Sequence, residues 1–488
     1  MNHAQKTGRA PRVVIIGAGM SGMLMAIKLL EAGIENFRIF DKASDLGGTW
    51  RENTYPGIAC DIASHYYTYS FEPNPGWSSR LPQGQEIQQY LLRVAEKYRL
   101  RRYISFNKEV VDGRHDGQRW HLKMRDGEAL EADVVVACCG LLHHPRFPNI
   151  KGRDDFAGPS FHSARWNHQV DLDGKRVAVI GNGSTGAQII ASLAVRPLQL
   201  KVFLRTPQWI FPLPNRTYSA VERRVLTWFP SLAKLTYYFY RTAFERTFAR
   251  AVIQPGWQRR LLSRVCRWNL NRVKDPDLRR KLTPDYAPLC KRMVMSVDFY
   301  PAIQRSNVDL VTDDIDRIEA RGVVTRDGRL HEADALIFAT GFDAHAYFRP
   351  LQLTNAGGQT LASAWSEGPV AHRTVSVPGF PNFFMTLGPQ SPIGNFSAIS
   401  IAETQIDYIM KCIRMIRTGS VRTLAPTQAA THTFNSRVRA AMPDTIWVSG
   451  CTSWYIGENG VPSAWPFSGA RFREELRAPR LEEFEVVA

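Results

Sequence analysis

At 488 residues, with 44% hydrophobic and 22% charged side chains, the chain has an ordinary globular composition and room for about two to four domains. Its net charge of +17 fits nucleic acid, an anionic membrane, or phosphorylated cofactors served by an arginine-rich region. Seven scattered cysteines without a CxxC pair argue against structural zinc and a disulfide framework and for a reducing compartment. The N-terminal MNHAQKTGRAP lacks the apolar core of a signal peptide, and no segment reaches the roughly 18 uncharged apolar residues of a membrane span. A cytoplasmic location is expected.

The first element is Arg12 to Gly22, RVVIIGAGMSG, an apolar run that reads as a buried strand turning into a helix. Its Gly17, Gly19 and Gly22 have the spacing of a dinucleotide-binding turn: room for the turn, for a pyrophosphate, and for the helix against the strand. A second short strand, Phe37 to Phe40, ends at Asp41, nineteen residues past Gly22. An acidic side chain there suits a ribose diol, so FAD or NAD is expected. Residues 44–71 are rich in glycine and aromatics and read as a functional loop across the strand ends. Gly84 to Leu100 has helical spacing, with Ile87, Tyr90, Leu91, Val94 and Tyr98 on one face. Strands are expected at Arg119–Met124 and Ala132–Ala137, and Pro145 and Pro148 mark a boundary.

The opening pattern then recurs. Lys175 to Ile180 leads into Gly181, Asn182, Gly183, Ser184, Thr185 and Gly186, and a further strand ends at Arg205, again nineteen residues past the last glycine. Here the charge is reversed, and a guanidinium can take a 2′-phosphate bidentately, which points to NADP(H). The reading is an α/β fold of two Rossmann-like dinucleotide-binding domains: 1–150 the first part of the FAD domain, 151–330 the NADP domain, and 331–488 the rest of the FAD domain with C-terminal loops. A basic, aromatic helical insertion occupies about 215–290. It reads either as an amphipathic cap with aromatics packed down and arginines solvated, or as a substrate-entry or membrane-surface element. The tail from Thr445 to Phe467, dense in tryptophan and glycine, reads as an ordered loop that contributes to a pocket.

Between the two glycine turns lies Phe156-Ala-Gly158-Pro-Ser-Phe-His162-Ser-Ala-Arg-Trp166, which resembles the FxGxxxHxxxW signature of flavin-dependent Baeyer-Villiger monooxygenases. GGTW at 47–50, YPGIACD at 55–61, RTPQW at 205–209, CKR at 290–292 and ATGFD at 339–343 match in order; Asn167 departs from the usual residue. The resemblance implies FAD, NADP, O2 and a ketone substrate, with an oxygen inserted beside the carbonyl through a C4a-peroxyflavin to give an ester or lactone. It implies that Arg292 is the cation at the reacting centre and Asp61 the acid that positions it, a role that suits anionic peroxide and oxyanion chemistry. It adds Lys42, Gly48, Thr49, Trp50, Asp61 and Tyr67 to the FAD site, Thr206, Lys291 and Trp454 to the NADP site, and gives Phe156, Gly158, His162 and Trp166 a linker role. No metal is expected. An N- or S-oxygenase is the alternative; a flavin disulfide reductase lacks its cysteine pair, and a nucleic-acid binder lacks a fold signature.

Overall fold

The computed structural model describes residues 10–394, 396–451, 453, 455–456 and 462–487. Two five-stranded parallel sheets organise it. In the first, Phe383–Met385, Val134–Ala137, Val13–Ile16, Phe37–Phe40 and Ile104–Ser105 lie side by side. In the second the order is Val308–Val311, Gln199–Phe203, Arg176–Ile180, Ala335–Phe338 and Ser160–His162. The central strands VVII, VVVA and ALIF are buried along their whole length, as parallel strands covered by helices on both faces must be. Met20–Glu31 covers the first sheet and packs on the long helix Ala398–Arg417; Ser184–Leu193 covers the second.

Several expected elements are displaced at their ends. The strand expected over 132–137 is Val134–Ala137, because Ala132 ends a different strand, Ala129–Ala132, that pairs antiparallel with Trp120–Met124, and between the two the Asp133 carboxylate accepts the Arg12 N–H at 2.7 Å. The loop after Asp41 contains one helical turn, Thr49–Glu52. The helix Gly84–Lys97 buries Ile87, Tyr90, Leu91 and Val94 as its periodicity requires. The 330/331 boundary falls inside the second unit: Ala335–Phe338 is hydrogen-bonded between Arg176–Ile180 and Ser160–His162, and the next strand of the first sheet is Phe383–Met385.

The cysteine expectation needs one correction. Cys290 and Cys451 are disulfide-bonded across 161 residues, while Cys60, Cys138, Cys139, Cys266 and Cys412 are free. A single bond between distant loops leaves no spacing signature in the sequence. The region expected as an insertion is helical, with Ala220–Trp228, Pro230–Phe244 and Trp257–Leu270 its main elements. Among the described residues no helix is long and apolar enough to cross a membrane.

Candidate active site

The two glycine turns are built alike. Gly17 and Gly181 have φ of +103° and +110°, a region that disfavours side chains. A Cβ on Gly22 would stand 1.8 Å from the Gly17 carbonyl oxygen, and one on Gly186 would stand 2.3 Å from that of Gly181. Both helices therefore start directly over their strands, at Gly19 and Gly183, with N–H groups and dipole pointing outward. A Cβ on Gly183 would meet nothing within 4 Å, and at Gly19 the nearest neighbour is another glycine, Gly48. Each turn thus keeps open the space that a pyrophosphate requires.

Asp41 sits at the end of Phe37–Phe40 and is held by backbone: its Oδ2 accepts from the Ala18 N–H at 2.6 Å and its Oδ1 from the Ala43 N–H at 2.8 Å. Burial raises its pKa while these two donors oppose the rise. Lys42 and Thr49 are exposed beside it. Trp50 donates to the Tyr67 hydroxyl at 3.2 Å and meets that ring edge to face. The Tyr69 hydroxyl donates to the Met20 carbonyl at 2.6 Å, tying this aromatic loop to the first turn of the glycine helix.

The second site is completed by a small parallel ladder, Ile210–Phe211 with Val294–Met295, which draws the segment containing Arg205 and Thr206 towards that containing Lys291 and Arg292. Trp209 donates to the Tyr286 carbonyl and Tyr286 to the Pro207 carbonyl, fixing the two loops together. Lys291 lies over the Tyr286 ring at 4.4 Å. Its pKa is lowered by burial and further by the Arg205 charge, against the opposite pull of Asp285. Neither Arg205 nor Lys291 forms an ion pair among the described residues, so two neighbouring cations stand without a contacting carboxylate.

Arg292 and Asp61 are 231 residues apart in sequence and paired in space. Nη2 donates to both carboxylate oxygens at 2.7 Å and Nε to Oδ2 at 3.2 Å, while Nη1 makes no hydrogen bond among the described residues. The carboxylate raises the pKa of the guanidinium, which stays charged. Burial and the Asp61 charge push the neighbouring Cys60 thiol up, so it remains protonated. The pair opens onto a cleft whose other walls include Phe244, Phe248, Ile393, Trp447 and Tyr455.

The signature segment lies where the chain crosses between sheets. His162 ends its strand, buried, between Phe147 and Phe342. Its Nδ1 accepts from the Ala164 N–H at 3.1 Å, capping the turn Ser163–Arg165, and burial lowers its pKa to about 4. A neutral ring used as a cap fits a linker better than a general base. Phe156 stands against Gly158, Trp166 packs edge to face on Phe161, and Arg165 is paired with Glu52 in the loop of the first unit. Trp454 lies outside the described residues.

Several contacts at the site were not assigned from the sequence, although Tyr55 and Cys290 open the motifs YPGIACD and CKR. Tyr55 donates to Gln188 at 3.0 Å and approaches Thr185 at 3.4 Å, joining the aromatic loop to the second glycine helix. The Cys290–Cys451 bond anchors the loop of Lys291 and Arg292 to the C-terminal tail, and Tyr455 donates to the Cys290 carbonyl. Phe244 and Phe248, four residues apart, were visible only as members of an aromatic helix.

Two glycine turns on parallel sheets, together with a half-buried Arg292–Asp61 pair on a cleft, are the frame of a protein that binds two dinucleotides. A family model described as flavin-binding monooxygenase-like matches residues 10–352, and the chain belongs to that family. It is 51% identical over 480 residues to an uncharacterized monooxygenase of Mycobacterium tuberculosis, covering 98% of this chain and 97% of that one. It is 39% identical to a Baeyer-Villiger monooxygenase of Streptomyces coelicolor, over 98% and 92%. The fold matches that of a cyclohexanone monooxygenase from Rhodococcus sp. Phi1 bound to NADP+, with a TM-score of 0.87 at 29% identity, over 98% and 99% of the two chains.

Proposed function

We propose that this protein is a Baeyer-Villiger monooxygenase: an NADPH- and O2-dependent flavoenzyme that inserts one oxygen beside a ketone carbonyl to give an ester or lactone. The observation that carries the reading is the Arg292–Asp61 pair on the wall of an aromatic cleft. FAD, once reduced by NADPH, supplies the oxygen-activating chemistry. The turn Gly17–Gly22 holds its pyrophosphate; Asp41 offers a carboxylate to the ribose, with Lys42, Gly48, Thr49, Trp50 and Tyr67 around it. Gly181 to Gly186 hold the NADP pyrophosphate, and the unpaired cations Arg205 and Lys291 take the 2′-phosphate.

Arg292 does the work specific to ketones. Its charge, fixed by Asp61, favours anionic oxygen nucleophiles and stabilises the oxyanion formed as oxygen adds to the carbonyl. A guanidinium with Nε and Nη2 engaged by Asp61 retains Nη1 for that contact. Phe244, Phe248 and Ile393 line the same space with apolar surface. A cytoplasmic location, where NADPH is available, completes this reading. The test is a panel of cyclic, linear and aryl ketones with amines and sulfides beside them, following NADPH consumption, product and H2O2. Coupled ester or lactone formation supports the reading, and product from amines or sulfides alone replaces it with N- or S-oxygenation.

A further inference from the structure

The helical insertion is apolar on two faces. On Pro230–Phe244, Ala233 and Tyr237 are buried, yet Leu232, Leu235 and Phe239 are 39%, 62% and 65% exposed and, at spacings of three and four, share one outward stripe. Trp228 and Phe229 at the preceding turn are 67% and 59% exposed. Trp257–Leu270 repeats the arrangement: Leu262, Cys266 and Leu270 are buried, while Trp257, Leu261 and Trp268 point out. A cap helix needs one apolar face; a second one left in water marks a contact surface.

The charges identify the partner. Between Ser219 and Arg272 the chain carries eleven Lys and Arg against two carboxylates. Both carboxylates are already engaged: Glu222 caps its own helix and pairs with Arg216, and Glu245 pairs with Arg473. Arg223, Arg224, Lys234, Arg260, Arg264 and Arg267 are exposed and form no ion pair among the described residues. Arg224 and Arg272 lie beside the rings of Trp228 and Trp268. Outward Trp, Phe and Leu interleaved with unpaired Arg is the chemistry of a lipid interface: rings at headgroup depth and guanidinium on phosphate. A second copy of this chain would bring the same positive charge against itself.

We propose that the outward face of the helical insertion docks on an anionic lipid surface. The same insertion supplies Phe244, Phe248 and Val252 to the cleft, so a lipophilic ketone held in the bilayer has a short route to Arg292; this clause alone rests on the ketone reading.

The test is co-sedimentation of the full-length flavin-loaded protein with phosphatidylcholine vesicles and with phosphatidylcholine–phosphatidylglycerol vesicles, at low and high salt and without substrate. Binding to the anionic vesicles that weakens with salt is expected. The triple variant Leu232→Ser, Leu235→Ser, Phe239→Ser should lose roughly tenfold in partitioning per side chain, with far-UV circular dichroism confirming its fold. Arg223→Glu, Arg224→Glu, Lys234→Glu should abolish the preference for anionic lipid. Absence of binding to either vesicle at low salt, or binding indifferent to both variants, overturns the proposal. Self-association in solution that the triple variant abolishes, without vesicle binding, assigns the face to a second copy instead. Vesicle binding with no ketone turnover supports the surface and counts only against the ketone reading.

Discussion

Replacing Arg292 by alanine tests the chemistry most directly. The guanidinium makes three contacts of 2.7–3.2 Å to Asp61 and lies on the cleft wall, so its removal leaves the carboxylate beside the reacting centre with no counter-charge. Loss of one preorganised oxyanion donor costs about 2.7–4 kcal/mol, or about 100- to 1,000-fold in kcat, and the uncompensated Asp61 charge acts in the same direction. The coenzyme contacts proposed above fall on other side chains, Arg205 and Lys291, so NADPH oxidation should continue with H2O2 replacing the ester. Arg292→Lys keeps the charge but not the fork and should fall between wild type and alanine. Asp61→Asn keeps the shape and removes the positioning charge, with a smaller loss than Arg292→Ala. The assay is the ratio of ester to NADPH consumed, with peroxide measured in parallel. Wild-type coupling in Arg292→Ala would refute the role.

Three further outcomes are expected. Arg205→Ala should raise the KM for NADPH by about 1.5–3 kcal/mol, roughly ten- to a hundredfold, and leave that for NADH nearly unchanged; equal effects would show that Arg205 does not read the 2′-phosphate. Thiol titration of the denatured protein should count five free cysteines, and seven after reduction, and Cys451→Ser should lower stability by about 2–4 kcal/mol, as expected for a bond that closes a long loop. Glu403, which accepts from the Ser70 N–H and from Tyr237 of the insertion, has its pKa raised from 4.5 to about 7 by burial and by Asp407, against Lys28. The native state therefore holds an extra proton between these values, so stability falls as pH rises from 4.5 to about 7 and then levels off. Glu403→Gln should remove this slope, on the order of 3 kcal/mol, in thermal melts across pH; an unchanged slope would assign the titration elsewhere.

Local chemistry determined the glycine turns, the strands that feed them, Asp41 against Arg205 at matching offsets, and the amphipathic helix Gly84–Lys97, because turn geometry and periodicity act over a few residues. The motif resemblance supplied Arg292, Asp61 and Lys291 as candidates, but no local pattern places one beside another. Tertiary structure decided the rest. The short ladder Ile210–Phe211 with Val294–Met295 sets the CKR segment beside that of Arg205, Arg292 reaches back from there to Asp61 in the aromatic loop, and Cys290 is bonded to Cys451, 161 residues on. Ala335–Phe338 belongs to the second sheet through pairing partners more than a hundred residues away. The amphipathic cap reading, with aromatics packed down, held for Tyr237 and failed for Phe239, Trp257 and Trp268. Periodicity shows that a helix has an apolar stripe; only packing decides whether that stripe meets the core or the solvent.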